Sequence, residues 1–115
     1  MEINVTSLGE QLVKVTLIGR LDTQGVDRVE TQFIAHLVPD RNNTIIDMSG
    51  VDFVSSMGIR MLVSAAKSLR TRQAKLALYG AQTRVLQIFQ AVSLQQIMPI
   101  CPTEADALAA VAPAN

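Results

Sequence analysis

The segment TIIDMS, residues 44–49, constrains the fold more than any other part of the chain. It is a β-rich and mostly apolar run, of the kind found in strands that are covered on both faces. Strands of this kind belong to sheets that have helices packed against them. We therefore expect this segment to lie inside a sheet, with the rest of the chain supplying the helices that cover it.

The flanking segments support this expectation, because strand and helix patterns alternate along the chain. The predicted strands are residues 1–7, 11–19, 44–49 and 74–80. Residues 96–101 are either a short edge strand or irregular chain, because they contain Pro99. The predicted helices are residues 24–37, 57–69, 83–94 and 103–111, the first of them ended by Pro39 before a polar turn. This order predicts an α/β fold. Its mixed β-sheet has an N-terminal hairpin and then mostly parallel strands, and about four α-helices cover it.

Each of the longer predicted helices has an apolar stripe at three- and four-residue spacing. The stripes are Val26, Val29, Phe33 and Leu37 in the first helix, Ile59, Leu62, Val63, Ala66 and Leu69 in the second, and Val85, Leu86, Phe89 and Val92 in the third. Either Asp22 or Thr23 is suited to cap the first helix. Thr103 and Asp106 have the spacing of a capping pair at the start of the last helix.

The composition is that of one globular domain, which we assign to residues 1–115. Ten basic and ten acidic residues give a formal net charge of zero, which argues against a nucleic-acid partner, since phosphate recognition needs concentrated positive charge. The N-terminal residues lack the pattern of a signal peptide, and no apolar stretch approaches the ~20 residues that span a bilayer. We expect a cytoplasmic protein without a membrane partner, and nothing in the sequence demands more than a monomer.

The small number of cysteines and histidines argues against a metal site, and the absence of phosphate-binding motifs argues against a nucleotide cofactor. Cys101 is the only cysteine and His36 the only histidine, which excludes a cysteine-based zinc site and a paired-histidine site. The chain also lacks the phosphate-binding motifs G-x-x-x-x-G-K-[ST] and G-x-G-x-x-G. We expect no metal and no cofactor, and a nucleotide- or small-ligand-binding module ranks low among the possible functions.

Two adjacent serines, Ser55 and Ser56, stand where the central strand gives way to the second helix. A serine there is suited to cap the helix, to act as a nucleophile or to be modified. A nucleophile needs a base, but His36 is predicted near the end of the first helix, and the G-x-S-x-G motif is absent. A phosphate would be stabilised by the helix dipole and would add about −1.5 to −2 charges. The cap and the modification both remain possible on these grounds.

Three segments of the chain together resemble the STAS domain family. They are GRLDTQG at 19–25, TIIDMSGVDFVSSMGIRML at 44–62, and KLALYG at 75–80 followed by an amphipathic helix. The resemblance extends from about Glu2 to Val111, with the motifs in the family's order and spacing. Within the family, the sequence looks most like the bacterial anti-sigma factor antagonists.

This resemblance implies a protein without enzymatic activity that works by binding partners. In such proteins the serine two places before the glycine is phosphorylated by an anti-sigma factor that is also a serine kinase, and a PP2C-type phosphatase removes the phosphate. By position, that serine is Ser56. The unphosphorylated protein is expected to bind the anti-sigma factor and release its sigma factor, and phosphorylation is expected to abolish that binding.

The resemblance also implies a partner-binding face formed by the predicted loops 20–25 and 52–58 and the exposed side of the second helix. Its residues are Asp22, Thr23, Ser55, Ser56, Met57, Gly58 and Arg60. Asp47 and Ser49 are expected to hold the end of the central strand through side-chain to backbone bonds. Other STAS domains are permanent scaffold subunits of transport complexes, and a scaffold that is not regulated by phosphorylation is the alternative function.

Overall fold

The computed structural model describes residues 1–37 and 42–112, and its elements follow the order that the sequence predicts. The strands are β1 (Glu2–Gly9), β2 (Leu12–Leu21), β3 (Asn43–Val54), β4 (Leu76–Tyr79) and β5 (Ile100–Cys101). The helices are α1 (Thr23–Leu37), α2 (Ser56–Thr71), α3 (Thr83–Ala91) and α4 (Glu104–Val111), with a 3₁₀ turn at Leu94–Gln96. The turn predicted after Pro39 lies outside the described residues.

The five strands form one mixed sheet in the order β1-β2-β3-β4-β5. β1 pairs with β2 in an antiparallel hairpin, whereas β2, β3, β4 and β5 are parallel to one another. The predicted α/β fold is therefore confirmed, and of the two possibilities for residues 96–101 the structure shows the edge strand, β5. β3 lies at the centre of the sheet, as its apolar sequence indicates.

The sheet is covered on both faces. The larger apolar cluster joins α1, α2 and α3 to one face through residues that include Phe33, Leu62 and Phe89. The smaller cluster joins α4 to the other face through Ala107 and Val111. Neighbouring residues of β3 divide between the two, since Ile46 belongs to the first cluster and Ile45 to the second. This is the reason that the segment TIIDMS shows no simple alternation.

β3 is longer than predicted, and this difference shapes the site. It continues beyond Asp47, where its pairing with β4 ends, and stays paired with β2 as far as Val54. The register shifts twice on the way, between Thr16 and Ile18 and between Gly19 and Arg20 of β2. Such bulges interrupt the regular side-chain pattern that reveals a strand in sequence. The predicted loop at 52–58 is therefore wrong, because residues 52–54 are strand and 56–58 are helix.

The buried face of α2 is rotated relative to the prediction. Its buried residues are Gly58, Met61, Leu62, Ala65, Ala66 and Leu69, whereas Ile59 and Val63 are half-buried. Gly58 packs closely against Leu21 at the end of β2. Because that contact turns Gly58 towards the sheet, the residues three, four and seven positions later face inward with it.

The third helix is shorter than predicted. α3 ends at Ala91, and Ser93 adopts a left-handed backbone conformation with φ of 57°. That conformation cannot continue an α-helix, so Val92 is 51% exposed and Leu94 is buried instead. The cap predicted for the last helix is confirmed, since the Thr103 hydroxyl accepts a hydrogen bond from the Asp106 amide at 3.2 Å.

Replacing Phe33 with alanine should test how strongly α1 is joined to the sheet. Phe33 is fully buried, so we expect Phe33→Ala to lower the free energy of unfolding by about 3–5 kcal/mol. Gln32→Ala, at the exposed neighbouring position, should change it by less than about 0.5 kcal/mol. Urea denaturation measures both, and equal effects would contradict the packing described here.

Candidate functional site

The carboxyl ends of β2 and β3 lie side by side and bring the starts of two helices together. Leu21, the last residue of β2, is paired with Val54, the last residue of β3. The Ser55 amide also donates a hydrogen bond to the Leu21 carbonyl oxygen at 2.9 Å. The prediction that Asp22 lies near the segment containing Ser55 is therefore confirmed.

Ser55 caps α2. Its hydroxyl oxygen accepts a hydrogen bond from the Gly58 amide at 3.3 Å, with Ser55 itself in the extended conformation of an N-cap. The same hydroxyl donates to the Leu21 carbonyl oxygen at 3.2 Å. The Ser55 side chain is therefore committed to joining the start of α2 to the end of β2.

Ser56 is in a different situation, although it is the next residue. It is the first residue of α2 and is exposed, and its hydroxyl makes no hydrogen bond within residues 1–37 and 42–112. The cap and the free hydroxyl are thus supplied by different serines. The cap explanation is confirmed for Ser55, and Ser56 is left open to an approaching molecule.

Gly58 allows the first turn of α2 to lie against β2. A Cβ atom at this position would stand 2.6 Å from the Leu21 carbonyl oxygen and 2.8 Å from Leu21 Cγ. These separations are too short for any side chain, so only glycine fits without moving the helix. Gly58 is itself buried, and its contribution to the site is the position of the neighbouring residues.

Asp22 caps α1 in the same way that Ser55 caps α2. One carboxylate oxygen, Oδ1, accepts a hydrogen bond from the Gly25 amide at 2.9 Å, and Oδ2 lies 3.4 Å from Nε of Arg20. The Gly25 amide, and to a lesser degree Arg20, hold the pKa of Asp22 below its ordinary value. Of the two predicted caps, Asp22 is therefore the one in use, and Thr23 is an exposed first residue of α1.

The structure adds residues that the sequence did not single out. The guanidinium carbon of Arg20 lies 4.4 Å from the centre of the Phe53 ring, within the range of a cation–π contact. Ile18, two residues before Arg20 on β2, is 42% exposed. Arg20 and Phe53 are paired residues of the neighbouring strands β2 and β3, and their pairing follows the second register shift, which no local sequence signal reveals.

Asp47 and Ser49 hold the first bulge of β3. The Asp47 carboxylate accepts hydrogen bonds from the Ser49 amide at 2.9 Å and the Ser49 hydroxyl at 2.7 Å. Gln82, just before α3, donates from its side-chain amide to the Ser49 carbonyl oxygen at 2.9 Å. The predicted side-chain to backbone bonding is confirmed, but it acts in the middle of β3, where β4 stops, and not at the end of a strand.

Met57 and Arg60 complete the exposed surface around Ser56. Met57 is one of the exposed large apolar side chains among the described residues, at 36%. Arg60 is exposed one turn further along α2 and has no ion pair within the described ranges. The surface therefore presents a hydroxyl, an apolar side chain and a cation, together with the capped start of α1.

The part of the chain that the structure describes lacks two other kinds of feature, a metal-binding cluster and a membrane-spanning helix. No group of three or more His, Cys, Asp or Glu residues there could hold a metal ion. None of the described helices is long and apolar enough to cross a membrane.

The sequence profile of the STAS domain matches residues 3–107. The chain belongs to the STAS domain family. A relative from Listeria monocytogenes, named anti-sigma-B factor antagonist, is 28% identical over 94 residues, which cover 82% of each protein.

Solved structures of similar proteins have the same fold. One is an anti-sigma-factor antagonist (STAS) domain protein from Planctomyces limnophilus, with a TM-score of 0.81 and 25% identity over 96% of this chain and 97% of that one. Another is an anti-sigma factor antagonist from Mycobacterium paratuberculosis, with a TM-score of 0.85 and 23% identity over 96% and 92% of the two chains. The arrangement of strand ends and helix starts described above is therefore set within a STAS fold.

The two serines of this STAS protein should differ in their effect on stability. Ser55→Ala removes the cap of α2 and the side-chain bond to Leu21, and we expect it to lower the free energy of unfolding by about 1–2 kcal/mol. Ser56→Ala removes a hydroxyl without a described partner and should change it by less than about 0.5 kcal/mol. Urea denaturation compares them, and a larger effect for Ser56→Ala would show that the caps are assigned wrongly.

The cap of α1 should weaken in acid. Because the pKa of Asp22 in the folded protein lies below its ordinary value of 3.8, its charge stabilises the folded state fully above that pH, and the effect is lost as the pH falls through the folded pKa. Asp22→Asn keeps a capping oxygen but removes the charge. The difference in urea midpoint between wild type and Asp22→Asn should narrow below pH 3.8, and a gap that stays constant into acid would argue against this.

Proposed function

We propose that this STAS protein is an anti-sigma factor antagonist that phosphorylation of Ser56 switches off. In the proposal, the unphosphorylated protein binds an anti-sigma factor that is also a serine kinase, and the sigma factor held by that partner is released. The observation that carries the proposal is the free, exposed hydroxyl of Ser56 beside a serine that already caps the helix. The name of the Listeria relative supports the class of partner.

The division between the two serines is suited to a reversible switch. Because Ser55 keeps the cap of α2, a phosphate on Ser56 displaces no hydrogen bond of the described structure. The fold is then expected to persist while about −1.5 to −2 charges are added to the surface. Only the contact with the partner would change.

The proposed binding face consists of the residues around Ser56 at the ends of β2 and β3. Thr23, Ser56, Met57 and Arg60 are exposed and available for direct contact. Met57 would pack against an apolar part of the partner, and Arg60 would face an acidic group. Asp22, Ser55 and Gly58 have bonds or packing of their own, so they would contribute mainly by holding the exposed residues in place.

The covalent step belongs to the partners. The kinase would transfer the γ-phosphoryl group of ATP to the Ser56 oxygen, with the hydroxyl proton leaving to a base of the kinase and ADP as the other product. A PP2C-type phosphatase would hydrolyse the phosphoserine with water and restore the hydroxyl. In this scheme the STAS protein has no enzymatic activity of its own, and the exchange takes place in the cytoplasm.

Phosphosite mapping tests the proposal directly. The wild-type protein, Ser55→Ala and Ser56→Ala are incubated with ATP and a lysate of the native host, and phosphate is located by mass spectrometry. We expect phosphate on Ser56 in the wild type and in Ser55→Ala, and none on the Ser56→Ala protein. Absence of phosphate from Ser56 under all growth conditions would overturn the switch.

Binding to the anti-sigma kinase of the host gives a second, independent test. The unphosphorylated protein and Ser56→Ala should bind it, while protein with phosphoserine at position 56 should bind at least ~10-fold more weakly, a loss of about 1.4 kcal/mol. A permanent association with a transport ATPase, unaffected by phosphoserine at position 56, would instead favour the scaffold alternative.

A further inference from the structure

Arg60 occupies a position from which it can reach a group attached to Ser56. The two residues are four apart on α2, so their side chains emerge on the same face of the helix, about 5–6 Å apart at Cβ. Side chains on a helix lean towards its N-terminus, which directs the guanidinium of Arg60 towards Ser56. An anion that precedes a cation by four residues is also the more favourable order for such a pair.

Both members of this pair are free. Ser56 and Arg60 are exposed, and neither has a hydrogen bond or ion pair in the part of the chain that the structure describes. No existing bond would therefore have to break for the two to meet. Arginine suits a phosphate well because its planar guanidinium can donate two parallel hydrogen bonds to phosphate oxygens.

The other cations near this surface are less suited to the role. Arg20 is already paired with Asp22 at 3.4 Å and stacked on the ring of Phe53 at 4.4 Å. Lys67 is the next cation on α2, but it lies seven residues beyond Arg60, or about 10 Å further along the helix. Of these three, Arg60 alone is both near Ser56 and unpaired.

We propose that Arg60 is the internal partner of phosphorylated Ser56, closing an ion pair along α2 when the phosphate is present. The inference rests on the proposed phosphorylation of Ser56 and adds which side chain of this protein binds the phosphate. The same arginine would face an acidic group of the binding partner in the unphosphorylated state. Phosphorylation would then remove the cation from the interface at the same time as it adds negative charge there.

The test installs phosphoserine at position 56 during translation, so that no kinase is needed. The phosphate is titrated by ³¹P NMR at low salt in four proteins, the wild type and the variants Arg60→Gln, Lys67→Gln and Arg20→Gln. We expect Arg60→Gln to raise the second pKa of the phosphate by about 0.3 pH units, since a nearby cation favours the dianion. Lys67→Gln removes the same charge from the same helix and should leave that pKa unchanged.

Raising the salt concentration should reduce the difference between wild type and Arg60→Gln, because exposed charge pairs are screened. An unchanged phosphate pKa in Arg60→Gln would overturn the inference, and so would a larger rise in Arg20→Gln. Circular dichroism and urea midpoints verify that each variant is folded, which the exposure of Arg60 leads us to expect.

This experiment separates the inference from the proposed function. If the phosphate pKa is the same in wild type and Arg60→Gln, the proposed ion pair is wrong, but Ser56 can still be the phosphorylation switch. If the unphosphorylated protein binds no anti-sigma kinase, the proposed function is wrong. The titration of an installed phosphoserine would still show whether Arg60 pairs with the phosphate.

Discussion

The backbone carbonyl of Leu21 is the point on which the rest of the site depends. Its oxygen accepts hydrogen bonds from the amide and the hydroxyl of Ser55. The same oxygen would clash with a Cβ atom at position 58. This one oxygen therefore imposes three requirements on the sequence. The residue before α2 must be extended, it must carry a small hydroxyl, and the first turn of α2 must contain a glycine. Together they fix where α2 begins and which way it is rotated.

At this junction, the residues that hold the helix start differ from the residues that are exposed. Ser55 and Gly58 satisfy the backbone and the packing, so Ser56, Met57 and Arg60 can be exposed without weakening the helix start. Asp22 does for α1 what Ser55 does for α2, which places two capped helix starts beside each other. Under the proposed function, a phosphate added to this surface would leave the sheet and its helices in place.

The sequence predicted the fold where signals were local. The apolar segment 44–49, the helix stripes and the turn residues placed every strand and helix in the right order. Two of the errors arose from contacts between residues that are far apart in the sequence. β3 runs on to Val54 because β2 continues beside it, and α2 is rotated because Gly58 meets Leu21. Neither partner is near in sequence, so neither effect leaves a local pattern.

The sequence by itself determined the family, the α/β order and the pair of serines before Gly58, because motif spacing and hydrophobic period are properties of the chain. Only the tertiary structure decided which serine caps the helix and which is free. That choice depends on the Leu21 carbonyl, which lies 34 residues earlier and reaches Ser55 only through the pairing of β2 with β3. The contact of Arg20 with Phe53 has the same origin, since it exists only in the shifted register of these two strands.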